Sequence, residues 1–436
     1  MAIRKEAYAH APRDETVMTD RETALRILDR VERDEAFASF LIPADAPFVR
    51  TLVFAVLRWR SQLDFLIEQL AHRPLAKIDE RTLHVLRAGL AQLMHMEVPP
   101  YAALSETVDL APKRSKTFVN AVLRSATRSD LRSMVPRDLS AASVAIREGH
   151  PTWMIERWSA LFGIERAEAI AHANQEMSYP DLLVNTTKTT VDGVRRILDA
   201  KAIAHAPSEL VENMIRLRAS TASLRAEIGA GLVHPMDEGS AMIAHLIGGS
   251  GRSVIDLAAA PGGKSLVLAL RGHRVITHDI SLLRLGYVAK LERFIKLRIV
   301  VGDGRMPPFR SQAAESVLLD APCSATGTLR KNPEVKWRLG RDGFAKFASL
   351  QRELLDAALT LARDECIYST CSLEREENDE VVGTVLESHP EFERFDLGSV
   401  APPPVARWIE NGVLRLTPEA GTDGFTAFGL RRRVAF

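Results

Sequence analysis

Asp256-Leu-Ala-Ala-Ala-Pro-Gly-Gly-Lys264-Ser265 is the stretch that decides how this chain folds. It follows the apolar run Ser253-Val-Ile255 and precedes the apolar run Leu266-Val-Leu-Ala-Leu270. That order predicts a strand, a tight glycine turn and a helix. Such a turn points backbone N–H groups and a helix N-terminus at a polar or anionic ligand. Pro261 suits the first turn of the helix. Gly262 and Gly263 permit backbone angles and close ligand approach that a Cβ would block. The spacing is neither the Gly-x-x-x-x-Gly-Lys-Ser of a phosphate loop nor Gly-x-Gly-x-x-Gly.

Beyond the turn, strand and helix patterns alternate. Arg274–Asp279, Leu297–Asp303, Ser316–Asp320 and Cys366–Cys371 read as strands, with helical stretches such as Leu283–Phe294 and Phe344–Leu361 between them. Glu391–Phe395 and Phe425–Leu430 read as final strands. Apolar strands joined by helices predict a parallel, doubly wound sheet whose ligands sit at the strand carboxyl ends. Asp279 ends the second strand, about twenty residues past the turn, where an acid takes ribose hydroxyls. Asp303 ends the third, where a carboxylate can accept from an adenine amino group.

Toward the N-terminus the pattern changes. Residues 1 to 19 are polar and read as frayed. Thr19-Asp-Arg-Glu22 marks a helix start. Apolar stripes at helical spacing follow, including Leu52, Ala55, Val56 and Trp59, then Leu83, Leu86, Leu90 and Leu93. No segment alternates like a strand, so residues 20–145 read as an all-helical bundle. Arg50-x-Leu-Val-x-x-Val-Leu-Arg58, Leu86–Leu93 and Phe118-Val-Asn-Ala-Val-Leu-Arg124 resemble the NusB-type RNA-binding helical domain. Arg50, Arg58, Arg60, Lys113, Arg114, Lys116 and Arg124 are candidates for a phosphate-contacting face. Between the two regions, Trp153–Phe162 reads as a helix, and Asp181–Thr186 and Met214–Leu217 as strands of a small α/β connector. The expected domains are therefore residues 1–145, 146–235 and 236–436.

The composition is that of an ordinary globular protein, 46% hydrophobic and 26% charged over 436 residues. The formal net charge of +1 leaves any nucleic-acid footprint to a local patch. No apolar run is long enough to span a bilayer, and Met1-Ala-Ile-Arg-Lys-Glu lacks a signal-peptide core. The three cysteines, Cys323, Cys366 and Cys371, are odd in number and clustered, which predicts reduced thiols in a cytoplasmic chain. No metal-ligand spacing accompanies them, and a monomer is expected.

Cys366 reads as a buried small hydrophobe. Cys323 and Cys371 differ, because each lies just past a strand end, where this fold places its ligand. Either is a candidate nucleophile, with Lys264 a candidate for activating a thiol that is only a few per cent ionised at neutral pH.

Ala258-Ala-Ala-Pro-Gly-Gly-Lys264, Asp320-Ala-Pro-Cys323-Ser-x-x-Gly327 and Tyr368-Ser-Thr-Cys371-Ser372, with Glu376-Glu377-Asn378, closely resemble the RNA cytosine-C5 methyltransferases. With a NusB-like domain in front, the whole chain resembles the bacterial Sun/Fmu class, which acts on 16S ribosomal RNA. The resemblance implies a Rossmann-like, doubly wound domain that binds S-adenosyl-L-methionine. It implies cofactor contacts from Ala258, Ala259, Ala260, Pro261, Gly262, Gly263, Lys264, Asp279, Asp303 and Asp320. It further implies that Cys371 is the nucleophile, that Cys323 assists product release, and that Asp320 acts as the acid at cytosine N3. Such covalent catalysis splits one hard displacement into easier steps. RNA, namely 16S rRNA, is the implied partner. The same chemistry on tRNA, or an RNA-binding factor with an inactive catalytic domain, are the alternatives.

Ala258 stands where family members often carry cysteine, and Thr426 and Gly429 stand where bulkier strand residues are usual. Arg330, Lys331, Lys336 and Arg338, with Trp337, are candidates for RNA contact, joined by Arg431–Arg433.

Overall fold

The computed structural model describes residues 18–291, 294–340 and 343–433. The expected frayed segment lies, up to residue 17, outside the described residues. The chain divides into two compact units, one ending at Asp138 with Ala142–His150 added, the other Leu139–Ala141 with Pro151 onward.

The first unit is helical, as expected, with no strand among its described residues. Helix Asp20–Arg33 starts at Thr19, whose hydroxyl accepts from the Glu22 N–H at 3.2 Å, satisfying one otherwise orphaned donor. Helices Pro47–Ala71, Glu80–His95 and Lys116–Ala126 bury Leu52, Leu63, Leu66, Leu86 and Leu123 against it. One expectation fails here. Arg60 does not join an outward basic face: it pairs with Glu32 at 2.5 Å, inside a network that includes Arg87, Asp64 and His84. Arg50, Lys113, Arg114, Lys116 and Arg124 are exposed.

The second unit opens with helices Thr152–Phe162 and Ile164–Ala173 and a four-stranded antiparallel sheet. Its strands are β1 (Asp181–Val184), β2 (His205–Pro207), β3 (Met214–Leu217) and β4 (Val233–Met236), in the order β2-β3-β1-β4. The central pair, β1 and β3, is the pair the sequence pattern predicts. The two edge strands escape it because each contains a proline, Pro207 or Pro235, which only an edge tolerates.

The larger sheet holds β5 (Ser253–Asp256), β6 (Arg274–Asp279), β7 (Arg298–Val301), β8 (Ala314–Asp320), β9 (Ala362–Thr370), β10 (Phe392–Phe395), β11 (Ile409–Glu410), β12 (Val413–Leu416) and β13 (Phe425–Arg432). Their order is β11-β12-β13-β9-β8-β5-β6-β7, with β10 also paired to β13. Strands β7, β6, β5, β8 and β9 are mutually parallel. The remainder is antiparallel. The five strands expected to be parallel are so, and the sheet as a whole is mixed, because β13 reaches β9 from the opposite direction. Helices Glu238–His245, Gly263–Leu270 and Leu282–Leu291 cover one face through Met242, Leu266 and Val288. Helices Ala345–Leu361 and Asp379–Ser388 cover the other through Leu355, Leu359 and Val382.

Gly429 has a packing reason to be small. It pairs with Phe395 across β10 and β13, and a Cβ there would meet the Phe395 ring at 2.6 Å.

Candidate active site

The glycine turn forms as predicted between β5 and helix Gly263–Leu270. Pro261 does not enter the helix. It sits ahead of the cap, after a cis bond from Ala260. Gly262 is the cap, with φ +101°, where a Cβ would also strike Val288 at 2.8 Å. Gly263 faces the other way, toward Met236.

Above the turn lies a cavity of about 530 Å³, within the size range of small-molecule sites. Its wall includes Ala258, Ala259, Ala260, Pro261, Gly263, Lys264 and Asp320, with Tyr287, Lys290 and Phe294 opposite. Asp256 forms part of that wall and is fully buried. Its Oδ2 accepts from Ser265 Oγ at 2.7 Å, while Oδ1 has no partner. Burial pushes this carboxyl up to about 7, against the Ser265 hydrogen bond. A backbone cradle and an aromatic wall fit a cofactor that carries an aromatic ring.

Asp279 and Asp303 lie at neighbouring strand ends but not on the cavity wall. Asp279 accepts from Ala260 N at 3.1 Å, Ser281 N at 2.8 Å and Arg284 Nη2 at 2.9 Å, so it braces the turn from below. Asp303 is gripped by Arg305, whose hydrogen bonds hold its carboxyl down at about 2.

Strands β8 and β9 are parallel neighbours, and they end with Asp320 beside Ser369. The loops beyond bring Cys323 Sγ within 3.2 Å of Cys371 Sγ. Lys264 reaches the same place. Its Nζ donates to Asp320 Oδ2 and to Ser240 Oγ, each at 2.7 Å, while Ser369 donates to Asp320 Oδ1 at 2.9 Å. Burial alone would lower the Lys264 pKa, but Asp320, with smaller help from Asp256 and Cys371, raises it, so the ammonium stays charged. Cys323 moves well above the ordinary thiol range, through its hydrogen bond to Cys371, its burial and the nearby Glu377. Cys366 is fully buried inside β9 and its thiol is pushed up by burial, in keeping with a structural role.

Glu377, in the Glu376-Glu377-Asn378 motif, has a role that the sequence pattern does not reveal. It is fully buried. Its Oε1 accepts from Ser324 N at 2.8 Å and Gln351 Nε2 at 3.1 Å, and its Oε2 from Ser372 Oγ at 2.5 Å and from Ser324 Oγ. Gly327 locks the same loops: its N–H donates to Cys371 O at 2.9 Å and its carbonyl accepts from Gly424 at 2.7 Å. A Cβ there would stand 2.3 Å from Gly424 O. Thr426 donates to Ser372 O at 3.0 Å, so this residue braces the Cys371 loop.

Residues 246–431 match the family described as 16S rRNA methyltransferase RsmB/F. Ribosomal RNA small subunit methyltransferase B of Citrobacter koseri is 34% identical over 419 residues, which span 91% of this chain and 94% of that one. This chain belongs to the RsmB/F family of ribosomal RNA methyltransferases. Its residues 18–128 match the NusB family, and 150–223 match the RsmF/B-like ferredoxin-like domain. The probable ribosomal RNA small subunit methyltransferase B of Bacillus subtilis is 27% identical over 441 residues, covering 95% and 98% of the two chains. The crystal structure of PH0851 shares the fold, with a TM-score of 0.74 at 22% identity, covering 96% of this chain and 100% of that one.

In this RsmB/F-family chain the basic loop after Cys323 is not the exposed patch that its composition suggests. Arg330 and Lys336 are buried, and Lys331 bridges Asp237 at 2.5 Å and Asp423 at 2.9 Å. The half-buried lysine joins the loops after β4, β8 and β12. Arg431 and Arg433 remain exposed, paired to Glu393. Among the described residues no helix is long and apolar enough to cross a membrane.

Proposed function

We propose that this chain methylates C5 of a cytidine in 16S rRNA by covalent catalysis through Cys371. The observation that carries the reading is the Cys371–Cys323 pair, set beside the Lys264–Asp320 ion pair at the carboxyl ends of β8 and β9.

S-Adenosyl-L-methionine supplies an electrophilic methyl group. Ala258, Ala259, Ala260, Pro261, Gly263 and Lys264 would hold it in the cavity. Cytosine C5 is a weak nucleophile until a thiolate adds at C6. Cys371 supplies that thiolate, with Cys323 Sγ 3.2 Å away and the Lys264 ammonium favouring a negative charge nearby. Asp320, protonated from water, donates to N3 of the ring, while Lys264 keeps its ammonium charge beside it. The C5=C6 electrons move to C5, which takes the methyl group. The C5 proton passes to water and its bond pair restores the C5=C6 double bond as the C6–S bond breaks, with that pair returning to Cys371 and the N3 proton returning to Asp320. Cys323 assists this release. The target must leave any base stack to reach a partly buried thiol, so an unpaired cytidine is the expected substrate.

The test is transfer of a labelled methyl group to unmethylated small-subunit rRNA, with digestion to nucleosides. Label in 5-methylcytidine supports the reading. Label in another nucleoside, or in tRNA but not rRNA, overturns it.

A further inference from the structure

The two thiols sit on separate loops, yet their sulfurs lie 3.2 Å apart. No covalent bond fixes that spacing, and the cysteines are not packed by one element. Both are followed by serine, and both serines end on the same carboxylate. Glu377 binds Ser324, next to Cys323, through its N–H at 2.8 Å and its hydroxyl, and binds the hydroxyl of Ser372, next to Cys371, at 2.5 Å. Gln351, from helix Ala345–Leu361, closes the arrangement. Its amide donates to Glu377 Oε1 at 3.1 Å and to the carbonyl of Pro322, just before Cys323, at 2.8 Å. Tyr368 of β9 donates to the Glu377 carbonyl at 2.5 Å and fixes the backbone that carries it.

A buried carboxylate needs several donors to be tolerated. Here those donors come from the two cysteine loops and the helix behind them. Separating the loops would strip hydrogen bonds from a charge with no access to water. The carboxylate thus converts its own desolvation into a restoring force on the spacing of the two sulfurs.

We propose that Glu377 is the positioning residue that sets the Cys371–Cys323 separation, and with it the hand-over from adduct formation to product release. The consequence for turnover rests on the proposed roles of the two cysteines; the consequence for spacing does not. Glu377 touches no reacting atom. Its loss leaves C6 attack possible but misplaces Cys323, and a displacement near 1 Å costs about a hundredfold in a positioned step.

The spacing is read with phenylarsine oxide, a trivalent arsenical that binds tightly only when two thiols reach one arsenic. Wild type is expected to capture one arsenical per chain, lost in Cys323→Ala and in Cys371→Ala. Glu377→Ala is expected to weaken capture at least about tenfold and to slow adduct resolution about a hundredfold, with cofactor affinity unchanged. Glu377→Gln keeps the shape and two of the partners, and should restore most of the capture. If Glu377→Ala does not fold, Ser324→Ala and Ser372→Ala carry the test, because each cuts one loop from the carboxylate and should weaken capture in the same direction. A folded Glu377→Ala, or both serine variants, with wild-type capture and wild-type adduct lifetime overturns the inference. Weakened capture with unaltered adduct lifetime upholds the spacing role and locates the error in the roles of the cysteines.

Discussion

Cys323 and Cys371 hold their sulfurs 3.2 Å apart. The Cys323 thiol is pushed well above the ordinary range by its hydrogen bond to Cys371, by burial and by Glu377. Lys264 contributes from the other side, its ammonium balanced by Asp320 at 2.7 Å. Lys264→Met should therefore lower methyl transfer about a hundredfold. Labelled-methyl transfer to unmethylated small-subunit rRNA checks this, and a wild-type rate would remove Lys264 from the chemistry. The cysteines, Lys264 and Asp320 were legible in the sequence because each belongs to a short motif at a strand end. Glu377 was visible but not interpretable. Its bond to Ser324 spans 53 residues, and no local pattern tells a buried acceptor of four donors from one more acid on a helix start.

At the scale of elements, the catalytic loops are held by close backbone approach as much as by side chains. Gly327 lies against Gly424 and the Cys371 carbonyl. Gly327→Ala should cost about 2–3 kcal/mol, seen as a lower urea midpoint at unchanged slope, together with lost methyl transfer. A variant with wild-type stability and activity would mean that the loops have room to separate. The strands of the parallel half were readable because each is a short apolar run bounded by a polar end. β11 and β12 were not, since they are short, β12 takes its register from β13 and β11 takes its own from β12. The basic loop misled for a different reason. Lys331 finds its acids 94 and 92 residues away in sequence, so its charge count suggests a surface that the fold turns inward.

At the scale of the whole molecule, each unit carries ionic ties of its own. In the second unit, Arg157 of helix Thr152–Phe162 pairs with Glu374 at 2.8 Å and Glu376 at 2.6 Å, just past the Cys371 loop. Glu374 is fully buried, so Arg157→Ala strands a charge and should cost about 3 kcal/mol or more. Calorimetry of the whole chain checks this, and an unchanged transition would make the pair dispensable. In the helical unit, His84 donates to Asp29 at 2.6 Å and Glu32 at 3.1 Å. Burial lowers its pKa, but these two acids outweigh burial and raise it above 6.5. A raised folded value means that the stabilisation is complete below pH 6.5 and is lost as pH rises through the folded value. Glu32 acts in the opposite sense. Burial raises it, yet His84, Arg60 and Arg87 hold it near 2, so its contribution is present above 4.5 and fades as pH falls toward 2. The unit should be most stable between these limits. Hydrogen exchange of helices Asp20–Arg33 and Glu80–His95, corrected for intrinsic rates, should show the alkaline loss in wild type but not in His84→Gln. The helical unit was legible as a bundle from its 3.6-residue period, whereas the inward turn of Arg60 depends on partners on other helices.

The central claim is that Cys371 attacks the base and Cys323 releases it. It is tested most directly by denaturant-resistant adducts between the protein and unmethylated small-subunit rRNA in the presence of S-adenosyl-L-methionine. Cys323→Ala should accumulate adduct, while Cys371→Ala should form none and transfer no methyl group. The reverse pattern, with adduct trapped by Cys371→Ala and absent from Cys323→Ala, would contradict the account and exchange the roles of the two thiols.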